Sequence, residues 1–431
     1  MRKNIFIFDM NKCVGCHACV VACMNENGFQ FPEQWRNIHK SSPSHFPHLP
    51  LFYLSLACNH CEEAPCLKNC PAQAYSRDEK TGAIIHHSDK CIGCKYCTWA
   101  CPYDAPKFNP AKGIIEKCTF CNHRIEDNLK PACANLCPVG ALDFNNTEFS
   151  REESLHSSPV PVNVGSGIKI NTLRNNTGPE IDQNLFLNQP KHIKTKETPK
   201  ISAAKEWALI LFTLLSAILV SVYASGIVNN IAHKILYLGA GAIAAVLSIL
   251  HLGKKFRAWR SLSNIKNSWL SREIALFSIF FTLVFIDFFL FDLPNIITAL
   301  IGILYLFSID MLYKLANWRW PVKIHPAQTL FIGISLYALF IGRFELFTGI
   351  ILFRIILYLY RKSKSEKANP IGIILRLALW IAPVITFYLD VDFYLTLSIL
   401  LMGEILGRIE FYNELSVPEP GKEFIKNIPL K

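Results

Sequence analysis

Sixteen cysteines, all between Cys13 and Cys137, restrict what the first third of this 431-residue chain can become. They fall into four groups of four. Cys13, Cys16, Cys19 and Cys23 form the first; Cys91, Cys94, Cys97 and Cys101 form the third and repeat its C-x2-C-x2-C-x3-C spacing. The second group, Cys58, Cys61, Cys66 and Cys70, and the fourth, Cys118, Cys121, Cys133 and Cys137, open on the same C-x2-C and widen a later gap. Pro71, Pro102 and Pro138 follow the last cysteine of groups two, three and four. A disulfide scaffold belongs to small secreted chains, and Met1–Met10 has neither the apolar stretch nor the cleavage site of a secretory signal. One such motif would suit zinc. Four, three of them with a trailing proline, point to iron–sulfur cubanes, which need several thiolates on tight loops whose amides face the cluster sulfides.

Groups one and three match the bacterial ferredoxin run. By analogy with two-cluster ferredoxins, the fourth cysteine of a group ligates the neighbouring cluster. Groups two and three then form one pair: Cys58, Cys61 and Cys66 with Cys101, and Cys91, Cys94 and Cys97 with Cys70. Groups one and four form the other: Cys13, Cys16 and Cys19 with Cys137, and Cys118, Cys121 and Cys133 with Cys23. Every position is cysteine, so four [4Fe–4S] clusters are expected and no three-iron cluster. Residues 1–145 are read as an α+β ferredoxin-like head of two double-cluster modules, with short strand-like pieces at Phe52–Leu56 and Ala83–His86. His17, His60, His86, His87 and His123 are read as surface or supporting residues. The formal charge of +11 falls to about +3 once four thiolate-bound cubanes add about −8, so the basicity does not argue for nucleic acid.

Residues 146–204, rich in Asn, Ser, Thr, Pro and Lys, read as a polar linker without a fixed fold. Apolar residues then dominate from 205 to 415. Eight segments lie near the roughly 20 residues that cross about 30 Å of hydrocarbon: about 206–224, 234–252, 273–291, 294–313, 325–342, 344–360, 370–389 and 393–412. The expectation is an all-α eight-helix transmembrane bundle, followed by a tail at 416–431. Lys and Arg number 21 on the connections of one side and two, Lys234 and Arg343, on the other. That bias predicts a bacterial inner-membrane protein with both ends, and so the head, in the cytoplasm.

The stretches "ACNHCEEAPCLKNCP", "DKCIGCKYCTWACPYDAP" and "KCTFCNHR…PACANLCPVGAL" resemble the iron–sulfur electron-transfer subunit of the DMSO reductase family over about residues 4–145. The sequence between Met24 and Ala57 has no counterpart in that resemblance. "LSILHLGKKFRAWRSLSNIKNSWLSREI" (Leu247–Ile274), "MLYKLANWRWP" (Met311–Pro321) and "GEILGRIEFY" are similar to the DMSO reductase membrane anchor over about 205–415. The resemblance implies a fusion of two subunits that spans the membrane eight times, takes electrons from menaquinol, carries no haem and passes electrons to a separate molybdopterin-containing catalytic subunit. His251 and Glu273 match family positions implicated in quinol binding. A quinol that loses two electrons must also lose two protons, and a His and a carboxylate suit that task. The alternatives are a helix cap for His251 and helix-terminus stabilisation for Glu273. Asp310, Arg354, Arg376, Glu404 and Arg408 are read as intramembrane partners, with Glu404 and Arg408 four apart as a helical ion pair would be. Two rival functions stand beside it: the same parts with the flow reversed, reducing quinone for a substrate-oxidising complex, and, from another class, a membrane transporter or sensor with a redox head, which calls for symmetric broken helices.

Overall fold

Ile5, Phe6 and Phe8 are all buried, on both faces of the first strand, β1 (Arg2–Asp9), because that strand is the middle one of a three-stranded sheet. This is a computed structural model, describing residues 2–30, 32–40, 53–156, 160, 162–171, 201–318, 320–364 and 370–420. The chain divides into two units, Met1–Pro199 with Pro418–Lys431, and Lys200–Val417.

In the first unit, β8 (Leu142–Glu148) runs antiparallel to β1 with Phe144 opposite Phe6, and β9 (Ile168–Asn171) runs parallel with Ile168 opposite Phe6. Three separate antiparallel pairs accompany this sheet: β2 (Asn37–Lys40) with β3 (Tyr53–Leu56), β4 (Tyr75–Arg77) with β5 (Ile84–His86), and β6 (Lys107–Asn109) with β7 (Ile114–Glu116). Phe6, Phe120 and Phe144 meet edge to face, with centroids 5.1, 5.9 and 5.3 Å apart. Cys19, Cys23 and Cys133 belong to the same core.

The head does not end at residue 145. The stretch read as linker contributes the end of β8, the helix Arg151–His156 and all of β9. Ile168 and Ile170 are buried and alternate with exposed Lys169 and Asn171, a period-two pattern too short to stand out in a polar region. Its partner is the far N-terminal strand, so only the folded chain reveals it. Residues 172–200, 41–52 of the stretch between Met24 and Ala57, and 421–431 of the tail lie outside the described residues.

The second unit holds eight apolar helices among its described residues: Trp207–Ala224, Ile231–Leu250, Trp269–Phe289, Asn295–Leu312, Thr329–Phe340, Phe344–Ser363, Pro370–Tyr388 and Phe393–Glu414. The first, second, third, fourth and seventh are long and apolar enough to cross a membrane. The fifth has only 12 residues, and the sixth and eighth carry charged residues inside. This is a multi-pass membrane domain with five candidate spans.

The first helix packs against the second, fourth, fifth and eighth. Its Ser221 donates to the Gly333 carbonyl at 2.8 Å, and Ser216 bonds Tyr305 at 2.8 Å, the small-residue and hydroxyl contacts that bind helices in lipid. The buried charges do not pair as their spacing predicts. Glu404 accepts both Nη atoms of Arg354, at 2.8 and 2.6 Å, from the sixth helix. Arg408 instead donates to Thr213 Oγ1 at 2.8 Å and to the Ala327 carbonyl at 3.0 Å. The guanidinium fork of Arg354 matches a carboxylate two oxygens at a time, a geometry a neighbour on the same helix does not offer.

Candidate functional site

The four cysteine loops share one backbone device. In each C-x2-C the residue before the second cysteine has positive φ: Gly15 at 70°, His60 at 45°, Gly93 at 70° and Phe120 at 68°. This left-handed turn aims amides at sulfur. Gly93 N–H donates to Cys91 Sγ at 3.4 Å, and Phe120 N–H to Cys118 Sγ at 3.3 Å. Gly15 is needed twice over, because a Cβ there would also lie 2.6 Å from the Tyr53 ring. After Cys70-Pro71 and Cys137-Pro138 the chain folds back, and the amides of Ala74 and Leu142 donate to Cys70 and Cys137 at 3.3 and 3.4 Å.

Short helices then bring distant groups together. Ala18–Asn27, with Cys19 and Cys23, packs on Ala132–Asn135, with Cys133; Pro65–Lys68, with Cys66, packs on Tyr96–Ala100, with Cys97. Cys70, Cys91, Cys94 and Cys97 line one cavity. Burial pushes the Cys61 thiol far above its ordinary value, and the sulfurs of Cys58, Cys101 and Cys66 push it further. Cys23 is raised to about 12 by burial and then by Cys133, with Cys121 adding to it. Cys13 is raised by burial, with Cys19, Cys137 and Cys16 as its sulfur neighbours. The sulfurs also influence one another beyond these sets. Cys97 feels Cys66, Cys118 feels Cys58, and Cys23 feels Cys19.

All sixteen cysteines are free of disulfides. Among the described residues no three His, Cys, Asp or Glu side chains converge as the ligands of a single ion; Cys70, Cys91, Cys94 and Cys97 instead surround a cavity. Buried thiols that repel one another ionise only when a cationic guest draws them together. The donor set, the amides aimed at sulfur and the sulfur-lined cavity all fit [4Fe–4S] groups. Cys16 is exposed, and Cys13, Cys94 and Cys137 are half-buried; the other twelve are buried.

Three residues stand beside the sulfurs: His60, read from the sequence as a surface or supporting residue, and Lys117 and Arg36, which the sequence reading did not single out. His60 takes a hydrogen bond from Ile84 N–H on Nδ1 at 2.9 Å and stacks on Phe120 at 4.1 Å. Burial, with Lys117, Arg77 and Arg36 nearby, depresses its basicity well below the usual range, so it stays neutral. Lys117 is buried and donates to the carbonyls of Ile84 and Cys118. Arg36 is buried within the stretch the motifs leave unexplained. No local pattern marks Lys117 or Arg36, since each is defined by neighbours distant in sequence.

In the membrane unit, His251 caps the C-terminus of the second helix and is half-buried. Glu273 is buried near the start of the third helix, and its charged neighbour is Asp310 of the fourth helix. Asp310 itself accepts the amides of Thr329 and Leu330 at 2.7 and 3.0 Å, capping the fifth helix. Between His251 and Glu273, the 3-10 turn Lys255–Leu262 leaves Phe256 and Trp259 exposed beside Arg257 and Arg260.

Two family descriptions match the chain: a 4Fe-4S dicluster domain over residues 49–147 and the DMSO reductase anchor subunit (DmsC) over residues 201–399. Curated relatives align with about a third of the chain. A putative iron–sulfur subunit of the dimethyl sulfoxide reductase of Halobacterium salinarum is 37% identical, over 34% of this chain and 68% of its own length. A chain of the anaerobic dimethyl sulfoxide reductase of Escherichia coli is 36% identical, over 34% of this chain and 76% of its own. The iron–sulfur subunit of the arsenate respiratory reductase of Shewanella sp. is 31% identical, over 40% of this chain and 97% of its own. With cluster-binding loops in one unit and apolar helices in the other, this protein belongs to the DMSO reductase family of iron–sulfur electron-transfer subunits, here fused to that family's membrane anchor.

Proposed function

We propose that the chain oxidises menaquinol in the membrane and conducts the electrons through four [4Fe–4S] clusters to a separate molybdopterin catalytic subunit. The observation that carries this reading is the exposure pattern of the four sulfur quartets. Cys58, Cys61, Cys66 and Cys101, and Cys118, Cys121, Cys133 and Cys23, are all buried. With the pairing proposed above, the less buried cysteines fall in the other two quartets, Cys13, Cys16 and Cys137 in one and Cys94 in the other. Two wholly buried quartets beside two that are less buried suit a conductor. When bound, the cubanes supply one-electron carriers; the chain's residues set their spacing, keep water out and aim amides at the sulfurs.

His251 and Glu273 are assigned to quinol binding and proton acceptance. Glu273 is buried with another carboxylate as its charged neighbour and forms no ion pair with a described residue, an arrangement that suits a proton acceptor. The domain assignment is a cluster head at 1–145 with the addition of β9, a connection to 204, an anchor over 205–415 and a tail at 416–431. The head is assigned to the cytoplasm from the 21-to-two basic bias; a reporter after Lys431 active only as a periplasmic type would reverse that assignment. Anaerobically purified protein should hold about sixteen iron and sixteen acid-labile sulfides, four of each per cubane. Cys101→Ser should damage the cluster built on Cys58, Cys61 and Cys66 and spare that on Cys91, Cys94 and Cys97. Zinc as the main metal, or EPR changes in the wrong cluster, would sink the assignment.

A further inference from the structure

Arg36 immediately precedes β2, and its side chain is 1% exposed. Nη1 donates to the carbonyl and Oγ of Ser55 on β3, at 3.3 and 3.1 Å, and the guanidinium lies 4.7 Å over the Phe6 ring. Nε and Nη2 reach no acceptor among the described residues, and no described carboxylate pairs with it. A buried guanidinium in that state is strongly unfavourable unless negative charge is supplied. Its surroundings are sulfur. Burial opposes its charge, and Cys133, Cys19, Cys118 and Cys23 are its electrostatic neighbours; a guanidinium keeps its proton in proteins. Three of these sulfurs belong to the quartet of group four, and Cys19 to that of group one.

Ser55 extends the contact. Its Oγ is 3.4 Å from Cys19 Sγ. A guanidinium only donates, so Ser55 accepts from Arg36 and its own proton is left for the Cys19 sulfur. A donor polarised by a cation makes the stronger hydrogen bond.

We propose that Arg36, with Ser55 as its link to Cys19, is a fixed charge that raises the reduction potentials of the two clusters held by groups one and four. The inference rests on the four-cluster assignment above. Each cluster with its thiolates is already anionic, and reduction adds one more electron. A cation held in a dry site stabilises the reduced form more than the oxidised form, and hydrogen bonds to ligand sulfur act in the same direction. The effect should fall on the pair that touches Arg36 and spare the pair held by groups two and three. It also gives the stretch between Met24 and Ala57 a purpose: the β2–β3 hairpin delivers both Arg36 and Ser55 to the sulfurs.

The test is a potentiometric titration of the full-length protein, purified anaerobically with its clusters and followed by EPR, for wild type, Arg36→Gln, Arg36→Lys and Ser55→Ala. Iron should stay near sixteen per chain in each, four per cubane. Arg36→Gln should shift the oxidised-to-reduced ratio at least tenfold toward oxidised for two clusters, about 59 mV lower for a one-electron couple, and leave the other two unmoved. Arg36→Lys should keep most of the wild-type potential, and Ser55→Ala should lower only the Cys19 cluster, by less. Unmoved potentials in iron-replete Arg36→Gln overturn the proposal, as does an equal shift of all four. If Arg36→Gln loses iron, Ser55→Ala decides, because it keeps the charge and the packing; an unmoved Cys19 cluster there overturns the proposal. A wild-type iron content far from sixteen overturns the cluster assignment instead, so the two failures are distinct.

Discussion

Two arginines, one in each unit, face the same physical problem and meet it differently. Arg354 is wholly buried among the apolar helices, and its donors are satisfied by the Pro326 carbonyl, Ser335 Oγ and both oxygens of Glu404. Arg36 is equally buried in the head, yet among the described residues Ser55 is its only hydrogen-bond partner and two of its nitrogens find none. Charges at membrane depth pair with one another or with backbone carbonyls, as Arg354 does with Glu404 and Arg408 with Ala327. The head leaves a cation facing sulfur, as a protein does when the missing counter-charge is a bound group. Glu273 is the membrane unit's counterpart to Arg36: a buried carboxylate whose charged neighbour is a second carboxylate, Asp310.

The sharpest way to break this comparison is to turn Arg354 into an unpaired charge. Glu404→Ala should cost about 3–5 kcal/mol of stability, since it leaves an uncompensated buried cation. Thermal unfolding in detergent, followed by Trp fluorescence, should show a large fall while the iron content of the folded fraction is unchanged. A variant as stable as wild type would mean that water or lipid headgroups already reach Arg354.

Glu273 should behave in the opposite way, with function lost and stability kept. His251→Ala and Glu273→Gln should slow menaquinol-driven turnover on the order of a hundredfold, the usual scale for a lost proton acceptor, equivalent to about 2.7 kcal/mol. Reduction of the catalytic partner by an artificial dye donor should survive, as should cluster content. If dye-driven and quinol-driven rates fall together, the two residues are structural. If neither falls, the quinol binds elsewhere in the bundle.

How much of this was legible in the sequence follows from how local each feature is. The quartets and the glycine turns at Gly15 and Gly93 are written in fixed short spacings. The matching turns at His60 and Phe120 are not, because neither residue advertises positive φ. Strand β9 was hidden because its partner is at the opposite end of the head. The pairing of Glu404 with Arg408 was a sound helical expectation overruled by a better-shaped partner on another helix. Arg36 left no trace at all, since what makes it matter is Cys19, Cys23, Cys118 and Cys133 gathered around it.

Arg408 allows a smaller test within the membrane core. Thr213→Val keeps the volume but removes the acceptor at 2.8 Å from Arg408, leaving the Ala327 carbonyl as its hydrogen-bond partner among the described residues. A cost of about 2 kcal/mol is expected, as for a buried charged donor that loses one of two acceptors. It should be additive with changes in the head, which lies in a different unit.

The smallest effect should come from a charge pair near water. Lys3 Nζ lies 2.7 Å from Glu62 Oε1, with the two side chains 20% and 45% exposed, and the ammonium is 5.2 Å from the Phe149 ring centroid. Its geometry is as close as that of Arg354 with Glu404, so distance alone would rank the two pairs together. Solvent decides otherwise. Water screens the attraction and hydrates either partner when the other is removed, so no stranded charge results. Lys3→Ala should therefore cost less than about 1 kcal/mol, and raising the salt concentration should shrink the difference further. The measurement is the same detergent unfolding experiment, run on Lys3→Ala and Glu404→Ala in low and high salt. A Lys3→Ala cost equal to that of Glu404→Ala and insensitive to salt would show that burial is not what separates the two pairs, and the contrast between Arg36 and Arg354 would lose its physical basis.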